Sequence, residues 1–411
     1  MTESRQAKFF YGYIVVVVSF LIMFVMWGAY YSFGIFFKPL LVEFGWTRAM
    51  TSAAFSTSFI LTGVFGVFAG RITDRFGPRI VVTICGLFLG LGYVLVSQTN
   101  ALWQLYLFYG VIVALGMSSS VIPLQTTIAR WFVKRRGLMN GIVVSGIGVG
   151  MLVIPMVANW LISNHGWRTS YIIVGIIALV LTILPAQFLR RNPRRGRELA
   201  YGDTKLAAGD SYSKQGFSLR EAARTWEFWL LVMATLCFTL AEGTIMVHIV
   251  PHAIGLGVSS ASAALIIAVI GAISIAGRVL MGSTADIIGN KRAWLICLAL
   301  VTISLFWLLV ARELWMLYLF AVIFGFGYGG LSVLISPMVA EHFGLTSHGF
   351  IFGVVVMFGG TGGMAIGPVI AGHIFDVTGS YQLAFIIYAV LGVIGLILTS
   401  LLRPTRLKMH G

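Results

Sequence analysis

Two charged residues interrupt long apolar runs in this chain, and they are the side chains best suited to do chemistry. Arg278 stands between Ile275, Ala276, Gly277 and Val279, none of which offers an acidic partner. Glu242 stands in Thr239-Leu-Ala-Glu242-Gly243-Thr244, and of 13 acidic residues it alone lies well inside such a run. If the runs lie in hydrocarbon, a charge at a helix centre costs roughly 2.5–3.5 kcal/mol on insertion scales, so each one needs a reason to be there. A guanidinium is a planar, permanently charged fork that can hold a carboxylate with two parallel hydrogen bonds. The other reading of Arg278 is an arginine snorkelling to headgroups, since it lies one turn before Gly282. For Glu242 three readings stand: a carboxyl that picks up and releases a proton, a packing carboxyl bonded to threonine or backbone, or a residue at the outer mouth.

Around these charges lie groups able to shape a polar pocket. Trp27 and Tyr31 share one helix face at i, i+4, and a phenol deep in an apolar run must find a polar partner. Ser119, with Ser118 and Ser120 beside it, and Asn140 add hydroxyl and amide groups. Tyr328, in Gly325-Phe-Gly-Tyr328-Gly-Gly330, and Phe358, in Phe358-Gly-Gly-Thr361-Gly-Gly363, sit among glycines that can hinge or line a pocket. His248 and His252 read as polar end caps. Cys85, Cys237 and Cys297 are scattered within apolar runs, without pairing or metal spacing. No metal or cofactor is expected. There is no clustered His, Asp or Cys site and no phosphate loop, which argues against an enzyme.

The elements that must carry these residues follow from composition. Of 411 residues 59% are hydrophobic and 10% charged, with a mean hydropathy of +0.96; so few charges could not cover a soluble protein. The apolar residues fall in blocks of about 20, enough to span a bilayer as helix. The blocks predict helices over 12–38, 50–70, 80–98, 102–128, 138–160, 167–190, 228–250, 258–281, 293–311, 314–340, 349–372 and 382–402. The first is too long for a signal peptide and no small-residue cleavage site follows, so it is expected to remain as a spanning helix.

Charge gives an expected orientation. Of 28 Lys and Arg residues, 23 lie at the termini or in the connections after helices 2, 4, 6 and 8; Lys38, Arg48, Arg168 and Arg312 lie on the other side. The positive-inside rule then places both termini in the cytoplasm. This distribution makes the net charge of +15 topological rather than a nucleic-acid footprint. A basic stretch over 191–226 predicts a cytoplasmic linker between an N-terminal six-helix bundle (1–190) and a C-terminal one (227–411).

The halves echo each other. Gly70-Arg-Ile-Thr-Asp74-Arg75-Phe-Gly77-Pro-Arg79 recurs 212 residues later as Gly282-Ser-Thr-Ala-Asp286-Ile-Ile-Gly289-Asn-Lys291-Arg292. Gly166-Trp-Arg-Thr-Ser-Tyr171 is echoed at an offset of 213. Internal duplication of this kind predicts halves that rock about a midplane site. Gly70 should let helices 2 and 11 approach closely. Asp74 should accept hydrogen bonds from a neighbouring helix N-terminus and nearby arginines, locking a gate.

The Gly70–Arg79 loop resembles the loop 2–3 signature of the major facilitator superfamily. With the helix count, the linker and the repeat, the resemblance covers the whole chain. It implies an all-α integral membrane fold of 12 transmembrane helices in two pseudo-symmetric six-helix bundles. The run Trp131-Phe-Val-Lys134-Arg135-Arg136-Gly-Leu-Met-Asn140-Gly141 is more specific and resembles the helix 4–5 signature of the monocarboxylate transporter family; Ser32-Phe-Gly-Ile-Phe-Phe-Lys38 is similar to that family too. The resemblance implies cotransport of a proton with lactate, pyruvate or related monocarboxylates, an arginine four residues before a glycine in helix 8 (Arg278 and Gly282), and Asn140 lining the cavity. Three positions depart. Ser274 stands where the family has an acid, Tyr31 where it has a lysine, and the helix 1 signature is reduced to Lys8-Phe-Phe-Tyr11-Gly12-Tyr13.

These departures point to a bacterial homologue in the inner membrane, with Glu242 expected to supply the missing acid; without it, the chain would read as an organic anion exchanger similar to the oxalate–formate antiporters. The expected partners are a small carboxylate, a proton and the lipid bilayer, with no nucleic acid and no ancillary subunit. The expected substrate site comprises Arg278, Tyr31, Trp27, Asn140, Ser119, Tyr328 and Phe358. The expected gate comprises Gly70, Asp74, Arg75, Gly77, Arg79, Asp286 and Gly289.

Overall fold

The computed structural model describes residues 10–193 and 216–402. Most of the expected linker, and Lys8 with the residues before it, lie outside them. The chain is built from helices that we label α1 (Gly12–Phe44), α2 (Arg48–Phe76), α3 (Pro78–Val96) and α4 (Leu102–Trp131). One continuous helical stretch, Arg136–Ala186, follows. At Gly166 its backbone turns to φ 73° and ψ 163°, a conformation that glycine tolerates and other residues resist. This break divides the stretch into α5 (136–165) and α6 (167–186), so the 11 membrane-length helices among the described residues amount to twelve spans. The second half consists of α7 (Trp226–Gly255), α8 (Ser260–Ile288), α9 (Asn290–Val310), α10 (Leu314–Phe343), α11 (His348–Thr378) and α12 (Gln382–Leu401).

Helical backbone satisfies its own hydrogen bonds, which is why helices can cross hydrocarbon. The outward faces are apolar, with Phe68, Phe88, Ile303 and Ile397 exposed. Trp103, Trp160 and Trp315 are exposed near one end of the bundle, and Trp226 and Trp229 near the other, where amphipathic rings suit the two headgroup layers.

The first six helices pack on one another, as do the last six, and the two sets meet along two seams. At one, α2 lies against the start of α11; at the other, α8 lies against the start of α5. Both seams need bare backbone. A Cβ on Gly70 would stand 2.2 Å from the Gly349 carbonyl oxygen, and one on Gly282 would stand 2.3 Å from that of Gly137. Close approach through small residues is how helices associate in lipid.

Each seam is fastened by an aspartate that accepts from the N-terminus of the opposite helix, where unpaired N–H groups and the helix dipole favour an anion. Asp74 accepts from the Phe350 amide at 3.0 Å and from Arg130 Nη2 at 2.8 Å. The same nitrogen donates to the Leu345 carbonyl at 2.8 Å. Asp286 accepts from the Gly137 and Leu138 amides at 2.8 and 2.9 Å. The latches are related by the repeat, since Gly137 and Gly349 are themselves 212 residues apart. They are unequal in one respect. Arg130 falls 212 residues before His342, whose Nδ1 contacts the Met338 carbonyl of its own helix.

Gly77 and Gly289 close α2 and α8 with φ of 89° and 91°, turning the chain at once into α3 and α9. Arg75 and Arg79 do different work from the expected gate. Arg75 lies over the Phe76 ring and its carbonyl accepts from Arg191 at 3.3 Å, while Arg79 Nε donates to Gln187 at 2.9 Å. Both fasten parts of the first half to each other.

Two outcomes follow from these latches. Gly282→Leu should cost about 1–3 kcal/mol by overpacking, seen as a lower thermal midpoint in detergent and as maleimide labelling of a cysteine at Asn140, otherwise buried; an unchanged midpoint with no labelling would contradict it. Asp74→Ala should lower the midpoint more than Asp286→Ala, because it also strands the Arg130 charge. Equal losses would show that the ion pair adds nothing.

Candidate substrate cavity

A cavity of about 180 Å³ opens between the two halves, lined from α1, α2, α4, α5, α7, α8, α10 and α11. Arg278 enters it from α8. The side chain is 2% exposed, and its guanidinium turns into the cavity rather than along the helix toward headgroups. Room for it comes from α5, where a Cβ on Gly148 would stand 2.9 Å from Arg278 Nη1. Arg278 Nη2 donates to the Tyr328 hydroxyl at 3.2 Å, and the guanidinium carbon lies 5.5 Å from the Tyr328 ring centre. Nε and Nη1 have no hydrogen-bond partner among the described residues. Buried donors are nearly always paired, so two free ones on one fork mark a place where an acceptor belongs.

Glu242 reaches the same cavity from α7 and is 7% exposed. Its threonine neighbours are engaged elsewhere. The Thr239 hydroxyl donates to the Gly359 carbonyl of α11, and that of Thr244 donates to the Leu240 carbonyl at 2.9 Å. Among the described residues Glu242 has neither a hydrogen bond nor an ion pair within 4 Å, although it lies in electrostatic reach of Arg278, Tyr31 and Tyr328. The threonine-bonded packing role is therefore absent.

Trp27 and Tyr31 stack with ring centres 5.6 Å apart and both line the cavity. The Trp27 indole N–H is buried without a partner. Tyr328 lines the cavity from α10. Three expected site residues do not. Ser119 turns inward, and its hydroxyl donates to the Gly116 carbonyl at 3.4 Å. The helix breaks over 118–121 ahead of Pro123, a residue that disfavours helix just before it, and Ser118 and Ser120 face the cavity instead. Phe358 is 54% exposed on the outer surface. It lies in a π-helical segment, Val356–Thr361, whose extra residue per turn shifts its face, so Val356, Gly360 and Thr361 line the cavity in its place. Asn140 lies one layer back and crosses the interface. Its Nδ2 donates to the Val333 carbonyl of α10 at 2.6 Å and to Gln125 Oε1 at 3.3 Å, and Gln125 lines the cavity.

Phe59, Phe238, Phe352, Met117 and Met364 add apolar surface to the lining. Apolar residues in apolar helices carry no local signal that separates a cavity face from a packed or lipid face, so these were not readable from the sequence. His248, expected as an end cap, instead bridges the Tyr381 hydroxyl at 3.1 Å and the Pro368 carbonyl at 2.9 Å.

The arrangement offers one cationic fork, one carboxyl, a few hydroxyls and an apolar, aromatic wall, enclosed between two halves that touch at one end. The comparisons agree with such a carrier. A family model described as Major Facilitator Superfamily matches residues 19–284 and 231–410. Monocarboxylate transporter 13 of Rattus norvegicus is 26% identical over 395 residues, covering 92% of this chain and 85% of that protein. Monocarboxylate transporter 2 of Homo sapiens is 25% identical, covering 90% and 81%. The uncharacterized MFS-type transporter YhjX of Escherichia coli (strain K12) is 24% identical, covering 82% of each. Among solved structures, the proton:xylose symporter XylE bound to 6-bromo-6-deoxy-D-glucose superimposes with a TM-score of 0.74 at 15% identity, over 97% of this chain and 98% of that one. The E. coli fucose:proton symporter FucP superimposes with a TM-score of 0.71 at 14% identity, over 95% and 100%. These likenesses carry the fold, and the relatives are transporters rather than enzymes. With the matched model spanning nearly the whole sequence, this multi-pass membrane chain belongs to the major facilitator superfamily.

Proposed function

We propose that the chain is a proton-coupled symporter of small organic monocarboxylates of the lactate and pyruvate type, working by alternating access. The observation that carries this reading is the buried Arg278 fork, with Nε and Nη1 unpartnered in the same cavity as Glu242. The names of the monocarboxylate transporter relatives support it. The substrate carboxylate binds Arg278, and Tyr328 holds the fork in place. Trp27 and Tyr31 shape the wall opposite, and Asn140 acts through Gln125. Glu242 takes the proton. Moving anion and proton together avoids about 2.3 kcal/mol per charge per 100 mV of membrane potential.

In this reading the basic connections and both termini face the cytoplasm of a bacterial inner membrane. Residues 1–190 and 227–411 are then the rocking bodies, joined by 191–226. The Asp74 and Asp286 latches hold the cytoplasmic side shut, and the cavity faces outward.

Proteoliposomes with an acidic exterior should take up lactate, and Arg278→Ala should reduce uptake by about tenfold or more, the value of charged hydrogen bonds at a buried site. Arg278→Lys should recover only part of it, because an ammonium cannot reproduce the fork. Uptake indifferent to both the gradient and Arg278→Ala would sink the proposal. Glu242→Gln should abolish gradient-driven uptake into empty vesicles while leaving exchange against internal substrate. If wild-type uptake needs internal substrate, the anion-exchanger reading takes over.

A further inference from the structure

A second hollow lies away from the central cavity. It is a groove of about 290 Å³ between α2 and α3, with α4 as its floor. Phe68 and Ile72 of α2 and Ile84 and Phe88 of α3 form its walls, and all four are exposed on the outer surface. Cys85 and Ser118 lie deeper, and their polar atoms are engaged within the protein. The Ser118 hydroxyl donates to the Leu115 carbonyl at 2.7 Å, and Cys85 Sγ lies 3.6 Å from Ser118 Oγ. The groove therefore presents hydrocarbon surface to whatever enters it. It is also a wedge, because α2 and α3 diverge from a joint of one residue, Gly77. The repeat shows what opens it. Ala69, Cys85 and Ser118 recur at an offset of 212 as Met281, Cys297 and Gly330. There the Met281 and Cys297 side chains both press on the bare α-carbon of Gly330 and close the same triangle. Arg75, at the narrow end of the groove, recurs as Ile287, so the second half lacks the space and the charge together.

That narrow end is basic. Arg75 is exposed one turn beyond Ile72, on the same face of α2, and Arg79 is exposed at the start of α3. Arg191 Nη1 donates to the Arg75 carbonyl at 3.3 Å, while its Nε has no hydrogen-bond partner among the described residues. The one acid of this turn, Asp74, is turned away to the seam. From this geometry we infer that the groove seats one acyl chain of an anionic phospholipid, with the headgroup phosphate on Arg75 and Arg191. A lipid tail gains no hydrophobic energy by leaving the bilayer for an equally apolar groove, so the headgroup supplies the preference. A basic residue at a lipid surface strengthens the hold on an anionic lipid about fivefold, and two do so about 25-fold. A helix of another protein is about 10–12 Å across, too wide for a wedge that tapers to one residue, and an apolar helix brings no anion to the arginines. Ser118 lines both the groove and the central cavity. A chain seated against it braces α4 where the helix breaks at 118–121, so the lipid stabilises the wall of the cavity from outside.

The test uses purified full-length protein in detergent and three probes: phosphatidylglycerol, phosphatidylcholine with the same chains, and glycerol 3-phosphate, an anion without a chain. The thermal midpoint is followed, and a phosphatidylglycerol carrying a diazirine on its chain is cross-linked by light and mapped by peptide mass. Phosphatidylglycerol should raise the midpoint, as a ligand of the native state does, and label the peptides that carry Ile72 or Ile84. Phosphatidylcholine should need about 25-fold more lipid for the same shift, and glycerol 3-phosphate should give none. Ile84→Trp, at an exposed position that tolerates a larger side chain, should fill the groove and abolish both labelling and shift. Its lipid-free midpoint, equal to that of wild type, shows that it is folded. Arg75→Gln should weaken phosphatidylglycerol about fivefold and leave the labelled peptides the same. Equal response to the two lipids, labels spread evenly round the apolar belt, or full labelling of Ile84→Trp overturns the inference. A shift with glycerol 3-phosphate alone gives the arginines to a soluble anion and overturns it too. If Ile84→Trp is unstable, Arg75→Gln decides, and undiminished binding of phosphatidylglycerol overturns the inference.

Discussion

A guanidinium held in hydrocarbon cannot shed its proton, so the surroundings of Arg278 must answer a full positive charge. Much of the centre of this molecule reads as that answer. Glycine on α5 vacates the volume, a phenol on α10 accepts one hydrogen bond, and a carboxyl on α7 lines the same cavity. The answer is incomplete by two donors. An incomplete answer costs stability in the empty protein, and in the proposed function a carboxylate recovers that cost.

The seams between the halves are close and dependent on glycine, whereas the cavity above them is roomy and mixed. This contrast has a mechanical sense. Tight backbone contacts with few side chains have two clean states, together or apart. The Asn140 amide, buried between Gln125 of the cavity wall and the Val333 carbonyl of the opposite half, connects what fills the cavity with whether the halves stay together. The break at 118–121 and the π-helical turn at 356–361 bring irregular backbone into the cavity wall.

The helix count was legible in the sequence because a bilayer demands long apolar runs, and the seams were legible because glycine and aspartate recur at one offset. Arg278 and Glu242 stood out because a charge in hydrocarbon has no bland reason to exist. The register of the wall was less legible. Ser118, Ser119 and Ser120 are alike in type, and only the helix break before Pro123 decides which two face the cavity. Phe358 was misplaced because a π-turn, invisible in composition, rotates everything after it. Arg130 was hidden for a different reason: it lies in the last turn of α4 just before the basic run Lys134-Arg135-Arg136, and nothing local marks it as the one that turns toward Asp74.

The unequal latches have a consequence for motion. Asp74 and Arg130 both belong to the first half, so when the seam parts they leave as a neutral couple, shedding only backbone partners. Among the described residues Asp286 has no such companion in its own half, and His342 at the repeat position is bound to its own helix. Its amide donors, and the nearby Arg136 charge, lie across the divide. Separation therefore leaves Asp74 with its counter-charge but parts the Asp286 carboxylate from Arg136, so that water must solvate both charges. The pseudo-twofold axis that relates the halves in shape does not relate them in energy, and reclosure is drawn chiefly by the side that parted with its charge unanswered.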